Sequence, residues 1–228
     1  MVSAESSAVF LQVRLDSTRL PRKALADLGG KTVLERCLSA LSPVSTPLKV
    51  VVTEPASFRE VAALSEGAGW QVFSGSKNNV LDRFVQAARR FECRTIVRAT
   101  ADNPLVSAYL ANLLLAEHLR EAMDYSGYLE GPEGSGVEIL NAGALETALS
   151  SGPDRYECEH VSPYLYRRPD KFKIHRPIVP DRFRYPEGRV TVDTAEDLFY
   201  LNRLWRVLDP QVPSQLEDVI DWLKENPR

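Results

Sequence analysis

The chain has 228 residues, 44% of them hydrophobic and 26% charged, enough apolar material for a packed core and too much for a disordered polymer. Its net charge of −3 argues against a general nucleic-acid-binding surface, which needs a basic excess. Three cysteines, Cys37, Cys93 and Cys158, share no metal or redox spacing and read as buried thiols of a reducing compartment.

The first residues lack the basic and apolar regions of a secretory signal, and no stretch reaches a membrane-spanning length. A cytoplasmic protein is expected, with no membrane partner.

The elements then alternate. An apolar run at 8–13 reads as a strand. The segment 32–41 places Val33, Leu34, Cys37, Leu38 and Leu41 on one helical face. Strands at 48–53, 70–75 and 94–100 are separated by helices at 57–69, closed by glycine, and 80–91. This order predicts a mostly parallel sheet with helices on both faces.

The second half is less regular. A helix is expected from about 105 to 121, then a Gly/Pro-rich loop, a short strand at 136–140 and a helix capped by Asn141. Residues 156–168 read as helix with an awkward proline, 172–179 and 188–193 as strands, and 194–225 as two amphipathic helices with Thr194 as the first cap. One domain is expected, with no internal repeat.

Directly after the first strand, VRLDSTRLPRKAL gathers Arg14, Arg19, Arg22 and Lys23 around Ser17 and Thr18. In a parallel α/β sheet, ligands sit beyond the strands' carboxyl ends, so four cations there could cradle a polyphosphate. A solvated basic loop is the plainer alternative. GGKT at 29–32 is not a Walker A loop, because that motif requires glycine where Leu25 stands. Gly29 and Gly30 read as a turn before a helix capped near Thr32.

The stretch QVRLDSTRLPRKALADLGGKTVLER resembles the opening signature of the cytidylyltransferases that make CMP-sugars, in particular the spore-coat polysaccharide biosynthesis branch, with CMP-Kdo and CMP-sialic acid synthetases as relatives. NNVLDRFVQAA, VRATADNPLVS, EHVSPYLYRRPDKFKI and RVTVDTAEDL resemble further family segments, in family order, from about Gln12 to Leu198.

The resemblance implies a three-layer α/β/α, Rossmann-like nucleotide-diphospho-sugar transferase fold with a mostly parallel mixed sheet. The nucleotide half would be about 8–110 and the sugar and dimer half about 111–228. It implies a Mg²⁺-dependent nucleotidyltransferase that takes CTP and a sugar, an acidic one, in surface polysaccharide synthesis, and that forms a homodimer. A non-catalytic nucleotide-sugar-binding homologue and a glycosyltransferase on the same type of fold are the alternatives.

The resemblance also distributes roles. Arg14, Ser17, Thr18, Arg19 and Lys23 would hold the triphosphate. Asp102 and Asp193 would hold the metal. Asp82 and Arg83 would lie near base and ribose, and Glu138, His160 and Tyr164 near the sugar. Catalysis would rest on Arg14, Lys23 and Asp102. Read without the family, Asp102 could be a turn residue, Asp193 a cap, Asp82 a favourable acid in a first helical turn, and His160 a packed histidine. The sequence departs from the family pattern at Val13, Arg22, Asn79, Ala101 and Ser107, where alanine, glycine, an acid, glycine and an acid are usual.

Overall fold

The computed structural model describes residues 6–208 and 215–228. A seven-stranded sheet runs through both halves of the chain. In chain order its strands are β1 (Ser7–Gln12), β4 (Leu48–Thr53), β5 (Gln71–Ser74), β6 (Thr95–Thr100), β7 (Tyr125–Gly127), β8 (Glu138–Asn141) and β9 (Ile174–His175). A separate hairpin pairs β2 (Asp27–Leu28) with β3 (Lys31–Thr32) across Gly29 and Gly30. Both glycines have positive φ, 63° and 83°, which a tight hairpin turn demands.

The spatial order is β5-β4-β1-β6-β8-β7-β9. β5, β4, β1 and β6 are parallel; β8 runs antiparallel to both β6 and β7. Strand periodicity assigns the faces. In β1, Val9 and Leu11 enter one core with α1 (Val33–Leu41), α4 (Ala108–Glu121), α8 (Ala195–Trp205) and α9 (Leu216–Glu225). Ala8 and Phe10 enter the other with α3 (Val80–Arg90), α5 (Ala142–Ser150) and α7 (Pro163–Tyr166). Burial on both faces explains why these strands read as unbroken apolar runs. The remaining helices are α2 (Phe58–Gly67) and α6 (Arg155–His160). The expected three-layer α/β/α arrangement with a mostly parallel mixed sheet is present.

Helix starts follow side-chain chemistry. Thr32 and Glu35 form a capping box on α1, Asn141 Oδ1 accepts from Ala144 N, and Thr194 and Asp197 form a capping box on α8. α4 begins at Ala108 and not 105, because Ser107 is its cap.

Three expectations need correction. Residues 188–193 form no ladder strand; they meet the sheet's surroundings through one isolated bridge, Glu133 to Arg189. Val190 and Val192 are fully buried, so the alternation was real, but their N–H groups go to Glu133 O and Asp102 O, both at 2.8 Å, in loops. The strand expected at 172–179 shrinks to Ile174–His175 because Pro177 offers no N–H to continue it. The helix expected at 156–168 breaks at Val161 (φ 69°), and Pro163 opens α7 as its first residue. The tail is two helices as expected; residues 209–214 of that expectation lie outside the described residues.

Candidate active site

A cleft of about 270 Å³ opens at the carboxyl ends of β1 and β6. Its wall begins with the cation loop. Val13 still pairs with β4 (N to Val52 O, 3.2 Å) and accepts from Thr53 Oγ1 at 3.0 Å. Leu15 N donates to Ser57 Oγ at 3.0 Å. The chain then bulges and returns, with Arg22 N donating to Leu15 O at 3.2 Å. A 3₁₀ turn over Lys23–Leu25 buries Ala24 and sends Lys23 into the cleft.

Lys23 Nζ lies 2.8 Å from Asp102 Oδ2 and 2.8 Å from Asp193 Oδ1. The two aspartates, far apart in sequence, thus face each other across one ammonium. Asp102 follows β6; Asp193 precedes α8. Arg19 Nη2 also reaches Asp193 Oδ1 at 2.8 Å, and Arg189 Nη2 reaches its Oδ2 at 2.6 Å. Burial pushes the Asp193 carboxyl up, but the Lys23 hydrogen bond and the charges of Lys23, Arg19 and Arg189 outweigh it and hold the group below its ordinary value.

Arg14, Ser17 and Thr18 line the same cleft. Arg14 is half exposed, 3.7 Å from Asp16 and 3.7 Å from Glu159. Ser17 Oγ donates to Leu20 O, which fixes the bulge. On the far wall stand Glu159 and His160 from α6, the His160 ring 4.3 Å from that of Tyr156.

Four other candidate residues sit elsewhere. Asp82 accepts from Gln86 Nε2 at 2.8 Å on the outer side of α3, and only Val80 of that first turn lines the cleft. Arg83 is buried, donating to Ser76 O at 2.8 and 2.6 Å and to Lys77 O at 3.2 Å, so its guanidinium braces the loop before α3. Glu138 faces Arg98 across the β6–β8 ladder and accepts from Tyr125 OH (3.0 Å) and Ser162 Oγ (2.7 and 2.8 Å). Tyr164 is buried against Phe172, with the Arg168 guanidinium 3.7 Å over its ring.

Sequence reasoning missed Gln12, Arg98, Thr100 and Arg189. The first three lie on β1 and β6 and line the cleft, with Arg98 Nη2 donating to Gln12 Oε1 at 3.0 Å. The strand-end rule that singled out the cation loop covers Gln12 and Thr100 as well, whereas Arg98 lies inside β6 and reads as part of the ladder. Arg189 carried no separate signal within a segment that read as strand.

The departures from the family pattern have local explanations. Arg22 adopts left-handed backbone (φ 58°, ψ 30°), the conformation glycine takes most easily, and donates through both terminal nitrogens to Glu60 on α2, outside the cleft. Asn79 Oδ1 caps α3 by accepting from Asp82 N at 2.9 Å, and Ser107 caps α4. Val13 and Ala101 are buried small residues at the strand ends.

The donor set at Lys23 suits a hard divalent cation: two carboxylates meet at one positive point beside a cationic loop. Among the described residues no third His, Cys, Asp or Glu joins them. Mg²⁺ is commonly held by one or two carboxylates, with phosphate oxygens and water filling the rest of its shell. The pair therefore fits such an ion.

The family model described as cytidylyltransferase matches residues 8–223. The chain is 31% identical to the spore coat polysaccharide biosynthesis protein SpsF of Bacillus subtilis (strain 168), across 96% of this chain and 94% of that protein. A solved cytidylyltransferase from Leptospira borgpetersenii serovar Hardjo-bovis (strain JB197) superposes with a TM-score of 0.88 at 27% identity, covering 97% of this chain and 95% of that one. A CMP-2-keto-3-deoxy-manno-octonic acid synthetase solved with CTP shares the fold at a TM-score of 0.68 and 15% identity, over 88% of this chain and 98% of that one.

Proposed function

The chain belongs to the cytidylyltransferase family, and from that premise we propose that it transfers CMP from CTP to a hydroxyl of an acidic sugar and releases pyrophosphate, as a step of surface glycan synthesis. The convergence of Lys23, Asp102 and Asp193 beside Arg14 and Arg19 in one cleft is the observation that carries this reading.

The sugar oxygen attacks the α-phosphorus. The bond from that phosphorus to the bridging oxygen breaks, pyrophosphate leaves, and the hydroxyl proton passes to water or to a cleft base. Positioning and charge stabilisation dominate such a reaction. Arg14, Arg19 and Lys23 neutralise the triphosphate and the charge that builds on pyrophosphate. Ser17 braces the loop that presents them through Leu20 O, and Ser17 and Thr18 line the cleft where they would orient the triphosphate. Asp102 and Asp193 would hold Mg²⁺, which when bound supplies Lewis-acid polarisation of the phosphate. Glu159 and His160 stand on the opposite wall, where the acceptor would sit.

The test is to incubate the protein with CTP, Mg²⁺ and a panel of acidic sugars and to follow pyrophosphate. Release that depends on one sugar supports the reading. CTP binding with no release on any sugar would overturn it.

A further inference from the structure

The Lys23 ammonium occupies the point at which a divalent ion would bond to both aspartates. Its side chain is only 16% exposed, and those of Asp102 and Asp193 are 26% and 15% exposed. Among the described residues, Lys23 is the sole ion-pair partner of Asp102. Asp193 is different: Arg19 and Arg189 remain to it if Lys23 leaves.

A carboxylate oxygen bonds Mg²⁺ at about 2.0–2.1 Å. An ion bonded to Asp102 Oδ2 and Asp193 Oδ1 therefore takes the space held by Nζ at 2.8 Å from each. Ammonium and metal exclude one another. Lys23 has the means to vacate: a compact charge on a flexible four-carbon stem, in a cleft shaped to receive phosphate oxygens.

Resting on the reading above, we infer that Lys23 is a placeholder cation that keeps divalent metal off Asp102 and Asp193 until nucleotide phosphate draws its ammonium away. Two consequences follow. Without nucleotide the carboxylates are neutralised and held apart at a fixed spacing, so the site is assembled before its ligands arrive. With nucleotide, the ammonium moves to the phosphates as a divalent ion enters behind it. Metal and nucleotide then bind with positive coupling, and the coupling is reciprocal.

The experiment is a nucleotide-free Mn²⁺ titration, read by the loss of the free-ion electron paramagnetic resonance signal. Lys23→Met binds Mn²⁺ at least about tenfold more tightly than the wild type, within the usual range of coupling between sites. Arg19→Met, which removes an exposed charge from Asp193 alone, gains less than about threefold. Adding Asp102→Asn to Lys23→Met abolishes the gain. If Lys23→Met fails to fold by circular dichroism, Lys23→Gln carries the same comparison.

Equal Mn²⁺ affinity in wild type and the Lys23 variant overturns the placeholder. So does an equal gain from Arg19→Met, because charge deletion alone then accounts for it. The functional reading fails separately, by absence of pyrophosphate release from the wild type.

Discussion

Strand β6 leads into two charged clusters that use the same residue types to opposite ends. Arg98, within the strand, meets Glu138 directly across the ladder, and Tyr125 and Ser162 hydroxyls complete the carboxylate's partners. Asp102, two residues beyond the strand, meets Lys23 from a loop, with Asp193 from a third element. The first cluster is tied into the β6–β8 ladder, with Arg98 reaching the cleft wall; the second is carried on loops and opens into the cleft. A carboxylate whose oxygens are all accounted for by strands and hydroxyls builds structure. A carboxylate whose partner is a lysine at the wall of an open cleft is available to a ligand.

The largest effect that separates them falls on turnover. Asp102→Asn keeps a polar group near Lys23 while removing the charge that would hold metal, and kcat/KM should fall by about a hundred- to a thousandfold, comparable to the loss of a principal electrostatic contact. Thermal unfolding should barely move, because Lys23 keeps Asp193. Pyrophosphate release and a melting curve on the same preparation check both halves. A variant that melts early and still turns over would place Asp102 with the structural cluster.

Glu138→Ala should show the reverse. It strands the Arg98 guanidinium, whose Nε is already without a hydrogen-bond partner, and leaves two hydroxyls unanswered at 12% and 22% side-chain exposure of the ion pair. Breaking such a pair costs about 3–5 kcal/mol. Chemical denaturation should register that loss, and Glu138→Gln, which keeps acceptors for Tyr125 and Ser162, should recover part of it. Ser162 directly follows Val161, whose φ of 69° ends α6, the helix that carries Glu159 and His160 into the cleft.

This contrast marks what could be read from the residues. Apolar runs at 8–13 and 94–100 revealed the parallel sheet because burial on both faces leaves a continuous apolar signature. The alternation at Val190 and Val192 misled, since it reports burial and says nothing of which backbone answers the N–H groups. Lys23, Asp102 and Asp193 were legible through the family resemblance; read alone, Asp102 was as readily a turn residue and Asp193 a cap. Arg98 was not, because inside a strand it reads as part of the ladder. Arg83 looked available in a first helical turn, yet the loop carbonyls of Ser76 and Lys77 had claimed it. Hydrogen bonds to a distant backbone carbonyl leave no mark in residue type.

A third buried polar group tests whether closure can also be made without charge. His118 on α4 lies 2.9 Å through Nδ1 from Ser126 Oγ on β7, both almost fully buried. Burial first, and the neighbouring His175 second, push its pKa down from 6.5 to about 4. The unfolded chain takes up a proton below pH 6.5 that folded His118 refuses until about pH 4, so its contribution is whole above 6.5 and is lost as pH falls toward 4. The loss is on the order of 3 kcal/mol across that window. His118→Asn, measured by unfolding at a series of pH values, should flatten this slope whatever it does to stability at pH 8.

The smallest effect belongs to Arg22, the cation of the loop that faces neither cluster. Its backbone is left-handed, which any side chain adopts at a cost, and its guanidinium is tied to Glu60 at the surface. The two contributions oppose each other and can be separated. Arg22→Ala keeps the strained backbone and loses the pair; Arg22→Gly loses the pair but relieves the strain. The glycine variant should therefore melt above the alanine variant, and both should bind CTP with nearly wild-type affinity because Arg22 does not line the cleft. A large loss of CTP binding in Arg22→Gly would break the division drawn here, since it would mean that the surface pair with α2 governs the presentation of Arg14, Arg19 and Lys23. A wild type that melts above the glycine variant would show that the Glu60 pair outweighs the backbone strain. In that case Arg22 stands in the loop for the sake of its side chain, at a position whose geometry favours glycine.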